Sequence, residues 1–176
     1  FNGNDGDKGV DLHDNELWVT DGTTEGTLLV ADIWPGGNGN ASNPQEMFLF
    51  NGKLYFQAKG SATSVQFWRY NGVDAPVQIT YAREDGFAVP NDAVVDEANG
   101  KTYFRVSEGA YELGVLNADE TYEVIDVNPG LGLSDHGFDG YWPGIIYKDK
   151  FYFDGDNGTN GDELFVSDGT VAGTLL

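Results

Sequence analysis

The residues best suited to chemistry are the oxygen-bearing side chains of a glycine-rich stretch near the end of the sequence. In this stretch Asp154, Asp156, Asn160 and Asp162 stand at alternate positions, interrupted by a glycine at position 158. Calcium binds about 6–8 oxygen ligands, which carboxylates, amides, backbone carbonyls and water supply. The pattern therefore predicts a calcium site in this loop. A solvated polar turn between two strands is the alternative interpretation.

A second oxygen-rich stretch lies near the start of the sequence and offers a second candidate calcium loop. Its candidate ligands are Asn4, Asp5, Asp7, Asp11 and Asp14. The corresponding segments in the middle of the chain, around residues 58–61 and 107–109, carry few such side chains. Calcium is therefore the cofactor that we predict, at the first and last of these loops.

The charge of the chain limits the partners that it can have. The 176 residues include 9 Lys and Arg against 29 Asp and Glu, a formal net charge of −20. So acidic a protein repels nucleic acids and anionic membranes, and we expect no nucleic-acid partner. No apolar run is long enough to span a bilayer, so no membrane insertion is expected. Bound divalent cations would relieve the repulsion among the carboxylates, which is a second reason to expect calcium.

Groups that could catalyse a reaction are scarce. The sequence has no cysteine, which excludes a disulfide framework, a thiolate zinc site and a cysteine nucleophile. The two histidines, His13 and His136, stand in no recognisable motif, and no Gly-x-Ser-x-Gly elbow occurs. A carboxylate pair for glycoside hydrolysis is conceivable in so acidic a chain, but nothing singles out one pair. We therefore predict that the protein is not an enzyme.

The elements that must position these residues are internal repeats. Residues 16–29 and 163–176 are identical at ten of fourteen positions, and their offset, 163 − 16 = 147, is three times 49. Two weaker copies begin between them, at Gln66 and Glu112. We expect one β-repeat domain over residues 1–176, because the length suits a single domain. Its approximate repeats are 1–45, 46–87, 88–140 and 141–176.

Each repeat has the pattern of a small antiparallel sheet. In the second copy we predict strands at 47–50, 53–58, 65–70 and 76–81, and Asn51-Gly52 is a strong hairpin signal. The prediction is an all-β fold of repeated four-stranded antiparallel sheets, a β-propeller or a segment of one. It would have about four blades with incomplete terminal ones, either as a piece of a longer array or as a small ring. A β-solenoid or a sandwich would also use short strands with glycine turns.

The sequence Glu-Leu-Trp-x-x-Asp-Gly-Thr-x-x-Gly-Thr at 16–27 resembles the ELWxxDGT repeat family, and 163–174 matches it with Phe165 in place of tryptophan. The resemblance implies propeller-like repeats of large secreted or surface bacterial proteins, so the expected localisation is extracellular or at the cell surface. The residues themselves favour a structural role for Asp21 and Asp168. Each carboxylate can accept a hydrogen bond from the backbone two residues on, and the glycine that follows can adopt a positive φ.

Two tryptophans are candidates for ligand binding. Trp34 and Trp142 each precede a Pro-Gly pair, so we predict that they lie exposed in loops, where sugar rings could stack on them. For the aromatic residues on strands, packing between sheets is the favoured interpretation.

These features predict a noncatalytic, extracellular, calcium-stabilised repeat module for adhesion or for surface and matrix assembly. One alternative is a glycan-binding, lectin-like propeller module. Another is a structural subunit of an extracellular filament or coat. The expected partner is a protein or a glycan at a cell surface or in a matrix, and a second copy of the chain is a further candidate.

Overall fold

The computed structural model of the chain describes residues 1–3, 15–36, 40–61, 65–79, 90–107, 111–128 and 144–176. These residues form four antiparallel β-sheets and no helix, which confirms the predicted all-β class. Two of the sheets have four strands and two have three. In this part of the chain there is consequently no helix that is long and apolar enough to cross a membrane.

Each sheet is a meander in which strands that are consecutive in the chain are hydrogen-bonded neighbours. The first sheet contains β1 (Asn2–Gly3), β2 (Glu16–Val19) and β3 (Leu28–Ala31). The second contains β4 (Gln45–Phe50), β5 (Lys53–Lys59), β6 (Val65–Tyr70) and β7 (Val77–Gln78). The third contains β8 (Pro90–Asp96), β9 (Lys101–Ser107), β10 (Tyr111–Asn117) and β11 (Tyr122–Ile125). The fourth contains β12 (Ile145–Tyr147), β13 (Lys150–Asp156) and β14 (Asp162–Ser167).

The sheets repeat one strand register as well as one strand order. In the first sheet Gly3 lies opposite Glu16, and in the fourth sheet Gly155 lies opposite Glu163. In the second, third and fourth sheets, the residue at the tryptophan position of the motif lies opposite a phenylalanine on the preceding strand. These pairs are Trp68 with Phe56, Gly114 with Phe104, and Phe165 with Phe153. The first and last copies of the repeat therefore have the same backbone pairing, as their sequence alignment predicts.

The hairpin that joins β4 and β5 confirms the predicted turn. Asn51 has φ of 48° and Gly52 has φ of 69°, the left-handed pair that a two-residue hairpin requires. The strand boundaries differ from the predicted ones by small amounts. β4 begins two residues before the predicted strand at 47–50, and β7 covers Val77–Gln78 of the predicted 76–81, whose residues 80–81 lie outside the described ranges.

The chain divides into two compact units, Phe1–Phe48 with Gly52–Ala82, and Leu49–Asn51 with Arg83–Leu176. The core of the first unit contains Leu17 and Ile33 from the first repeat and Phe56 and Ala58 from β5. The core of the second unit joins the third and fourth sheets through eight buried residues. They are Tyr103, Leu113, Val115, Ile125, Val127, Phe151, Phe153 and Phe165. Each unit is therefore held together by a pair of sheets packed face to face.

Candidate functional site

The repeated Asp-Gly-Thr segment forms a tight turn at the end of β2. Asp21 Oδ1 accepts hydrogen bonds from Thr23 N at 2.9 Å and from Thr23 Oγ1 at 2.7 Å. Thr23 Oγ1 in turn accepts from Gly26 N at 2.9 Å, and Thr27 Oγ1 donates to Thr23 O at 2.6 Å. Gly22 has φ of 95°, as predicted for the residue after the aspartate. The polar side chains of the motif thus bond to one another and to the local backbone.

The last copy of the motif repeats this network bond for bond. Asp168 Oδ1 accepts from Thr170 N at 3.0 Å and from Thr170 Oγ1 at 2.7 Å. Gly173 N donates to Thr170 Oγ1 at 3.0 Å, and Thr174 Oγ1 donates to Thr170 O at 2.8 Å. The same side-chain types therefore make the same turn at two places in the chain, which confirms the hydrogen-bond pattern predicted for Asp21 and Asp168.

The second glycine of the motif is required by the aspartate. A Cβ atom at Gly26 would overlap the carboxylate of Asp21, and a Cβ atom at Gly173 would overlap the carboxylate of Asp168. The aspartate can turn back over the loop only because the residue five positions later has no side chain. The Asp-Gly-Thr-x-x-Gly spacing is therefore a steric consequence of the turn.

The hydrogen bonds of the turn also favour the ionised form of the aspartates. The hydroxyl of Thr23 is the main cause that lowers the pKa of Asp21 below its ordinary value, and the hydroxyl of Thr170 does the same for the pKa of Asp168. A hydrogen bond to a carboxylate stabilises its charged form. The turn therefore favours these carboxylates as charged hydrogen-bond acceptors.

The two weaker copies keep a turn of this kind with other residues. In the second copy Asn71 Oδ1 accepts from Val73 N at 3.0 Å and from Asp74 N at 2.9 Å. In the third copy Asp119 Oδ1 accepts from Thr121 N at 3.0 Å and from Thr121 Oγ1 at 2.6 Å. This turn lies two residues after the position at which the alignment puts the aspartate. Because an amide oxygen can replace the carboxylate, the turn needs an acceptor and does not need a charge.

A buried carboxylate that the sequence did not single out ties the first repeat together. Glu16, at the start of the motif, is fully buried. Its Oε2 accepts from Ile33 N at 2.9 Å and from Ser42 Oγ at 2.5 Å, and its Oε1 accepts from Ser42 N at 2.9 Å. One side chain therefore satisfies buried donors from two segments distant in the chain.

The residues at the position of Glu16 in the other repeats differ in their burial and in their hydrogen bonds. Glu112 in the third repeat is 8% exposed, and its Oε2 accepts from Val127 N at 3.0 Å. Gln66 in the second repeat accepts from Gln78 Nε2 at 3.1 Å. Glu163 in the fourth repeat is exposed. The signal that could have identified Glu16 is a glutamate in the buried register of a strand, followed in both the first and third repeats by an Asp-Ile or Asp-Val pair.

The predicted calcium ligands of the last loop lie close in the strand register. Asp156 and Asp162 face each other across β13 and β14, and Asp154 lies on the same face as Asp156, opposite Leu164. Asp154, Asn160 and Asp162 are exposed, and Asp156 is partly buried. Asp156 Oδ1 accepts from Gly158 N at 2.7 Å, so one of its oxygens already closes the loop.

The described residues contain no group of three or more His, Asp or Glu side chains that converge as metal ligands. The backbone between Asp156 and Asp162 is instead held by Asn157, whose Oδ1 accepts from Thr159 N at 3.0 Å and from Asn160 N at 3.1 Å. The first predicted loop, with Asn4, Asp5, Asp7, Asp11 and Asp14, lies outside the described residues.

Of the two tryptophans that we predicted to bind a ligand, the structure describes only Trp34. Trp34 is partly buried, between the exposed Asp32 and Pro35 and next to the buried Ile33. Trp142 lies outside the described residues, as do His13 and His136.

Comparison of the chain with known proteins found no match. Neither a protein-family model nor a curated protein matches the sequence.

Proposed function

We propose that the protein is a noncatalytic repeat module of the ELWxxDGT type that serves adhesion or surface and matrix assembly outside the cell. In this proposal its sheets are blades of a β-propeller or of a segment of one. The observation that carries the proposal is the use of the motif's polar atoms within the motif. In both full copies the aspartate and the threonines are hydrogen-bonded inside their own turn.

This use of the polar atoms argues against catalysis by the repeated acids. A nucleophile or a general base needs a lone pair directed at a substrate, within hydrogen-bond distance of it. Oδ1 of Asp21 and Oδ1 of Asp168 each accept two hydrogen bonds from the threonine of the same turn. Asn71 makes a comparable turn without a carboxylate. A module whose repeated residues form turns is suited to holding a surface that contacts other molecules.

Calcium at the last loop is part of the proposal. Asp156 and Asp162 are directly opposite each other on antiparallel strands, and Asp154 is the next residue along the same face. Like charges directly opposite each other destabilise a strand pair. A divalent cation between these carboxylates, with Asn160 and backbone carbonyls as further ligands, would turn this repulsion into attraction.

Calcium is expected to raise the melting temperature of the protein. At ten times its dissociation constant, a ligand that binds only the folded state adds about 1.4 kcal/mol of stability, or about 3–6 °C for a chain of this length. The measurement is thermal unfolding followed by circular dichroism, with millimolar calcium and with a chelator. The variant D156N/D162N should lose the part of the shift that the last loop contributes, and the control E123Q, which changes an exposed acid on β11, should keep the whole shift. An identical melting temperature with calcium and with chelator would contradict the site.

Adhesion and glycan binding are separated by one binding experiment. The immobilised chain is expected to retain cells or matrix protein, and soluble sugars should not compete. If sugars do compete and Trp34→Ala removes the binding while Val73→Ala, a change at an 85% exposed turn residue, preserves it, then the glycan-binding alternative is correct. The specific observation behind that alternative is the partial exposure of Trp34, which stands beside the exposed Pro35. Absence of binding to cells, matrix and sugars would contradict both.

A further inference from the structure

We infer that the outward face of the fourth sheet is a docking surface for the first sheet of a second copy of this chain. The inference rests on the assembly role proposed above and specifies its contacts. Apolar side chains form rows across this face, which we call the outer face. In the strand register Ile145 lies opposite Tyr152, and Tyr152 lies opposite Val166. Their neighbours Tyr147 and Leu164 lie on the same side, and the remaining positions of this face hold Lys150, Asp154, Asp156 and Asp162.

The apolar side chains of the outer face are strongly exposed. Leu164 is 67% exposed, Ile145 66% and Tyr147 57%. On the opposite side of the same sheet, Phe151, Phe153 and Phe165 are buried against the third sheet. The fourth sheet therefore has one partner and a second apolar face that has none among the described residues. Apolar faces of this kind mark interaction sites in soluble proteins.

The third repeat provides a direct precedent for what covers such a face. Tyr103 is the counterpart of Tyr152, and Leu113 is the counterpart of Leu164. Tyr103 is 1% exposed and Leu113 is fully buried. Tyr103 stacks on Phe151 of the next sheet, with ring centroids 4.6 Å apart and an interplanar angle of 9°. In this repeat the equivalent of the outer face is covered by a phenylalanine face of the following sheet.

The first and second sheets pack through the same two faces, with other residues. Leu17 is the counterpart of Leu164 and is 1% exposed. It packs against Phe56 and, on the neighbouring strand, Trp68, which are the counterparts of Phe153 and Phe165. Two independent sheet pairs thus bury the same face of one repeat against the same face of the next. The matching occupant for the outer face is therefore a sheet that presents the Phe153 and Phe165 positions.

The first sheet of the chain has a face of this kind. Phe1 is the counterpart of Phe153 and is 49% exposed. Trp18 is the counterpart of Phe165, and the backbones of Phe1 and Trp18 are paired through Trp18 N and Phe1 O at 2.9 Å. Both residues also line an open cavity of about 260 Å³ at the edge of this sheet, together with Leu17, Leu54 and Tyr70. A second copy can therefore supply the face that the outer face lacks.

Two unlike faces that fit each other make a heterologous contact. Such a contact joins copies head to tail and continues until a ring closes or a filament forms. It differs from a two-fold dimer, in which both copies use the same face, because here the outer face of one copy contacts the first sheet of the next. This difference makes the contact testable with one variant on each face.

Sedimentation of the purified chain is expected to show self-association that grows with concentration beyond the dimer. Leu164→Gln, a neutral polar change at a 67% exposed position opposite Asp154, should raise the dissociation constant at least about 30-fold. Trp18→Arg should do the same from the other face, and circular dichroism will establish that both variants are folded. Because each variant keeps one intact face, an equimolar mixture should form dimers that grow no further. Val73→Gln, at an 85% exposed turn position, is the matched control and should associate like the original chain.

Three results would overturn this inference. The original chain could stay monomeric up to about 1 mM. Val73→Gln could weaken association as much as Leu164→Gln does. The Trp18 variant could associate normally, which would assign the outer face a different occupant. A monomeric chain that still bound cells or matrix in the assay above would overturn this contact and leave the proposed adhesion intact.

Discussion

Replacing Glu16 with alanine is expected to lower the free energy of unfolding by about 3–5 kcal/mol. The carboxylate is fully buried and accepts three hydrogen bonds, one from Ile33 N and two from Ser42. Alanine would leave Ile33 N and Ser42 N buried without an acceptor, and Ser42 Oγ would keep only its 3.4 Å hydrogen bond to Asn15 O. Each unsatisfied donor costs about 1–3 kcal/mol unless water reaches it. The measurement is urea unfolding at neutral pH, followed by tryptophan fluorescence and by circular dichroism.

Glu163 is the matched control because it occupies the same motif position in an exposed setting. Glu163→Ala is expected to change the free energy of unfolding by no more than about 0.5 kcal/mol. Glu16→Gln should fall between the two, since it keeps one acceptor oxygen and directs an amide N–H₂ at the remaining donors. Equal losses at Glu16 and Glu163 would show that the hydrogen bonds of the buried carboxylate do not stabilise the fold.

The features that the sequence predicts correctly are those set by residues close together in the chain. The period of about 49 residues indicates repeated sheets, and the structure has them. The positive φ values at Asn51 and Gly52 follow from the hairpin signal of that pair. The turn at Asp21 follows in the same way, because its donors lie two residues away. Such local bonds need no knowledge of the tertiary structure.

The role of Glu16 could not be predicted in this way because its partners are distant. Ile33 and Ser42 follow it by 17 and 26 residues, and their donors meet the carboxylate only after the first repeat has folded. A glutamate in a strand is more often solvated than buried, so its residue type alone favours the wrong environment. The division into two units also depends on contacts between sheets, which a periodic sequence does not specify.

The calcium loop illustrates a different limit. Composition gives the number of oxygen atoms in 154–162, but it does not give the direction in which they point. The strand register brings Asp156 opposite Asp162, while Asn157 uses its oxygen to hold the loop backbone. The comparison of melting temperatures with calcium and with a chelator tests whether these carboxylates hold one ion.

The third repeat departs from the motif at Gly114, which stands at the position that is tryptophan in the first and second repeats. The structure gives a steric reason for this change. Gly114 lies opposite Phe104 on the neighbouring strand, and a Cβ atom at Gly114 would overlap both the Phe104 ring and the Val106 side chain. The Phe104 ring stacks with Tyr122, at a centroid distance of 5.6 Å and an interplanar angle of 5°. The ring therefore occupies the space over the glycine.

Restoring the motif at this position is expected to destabilise the protein. Gly114→Trp should lower the free energy of unfolding by more than about 3 kcal/mol, because overfilling a packed core by even a few atoms costs about 1–3 kcal/mol. Phe104→Ala alone should also destabilise, since it removes a ring that is 1% exposed. The double variant F104A/G114W should be more stable than the sum of the two losses implies, because the indole can enter the space that the ring vacates. Urea unfolding of the four proteins measures this coupling, and strictly additive losses would contradict the explanation that Phe104 takes the place of the missing tryptophan.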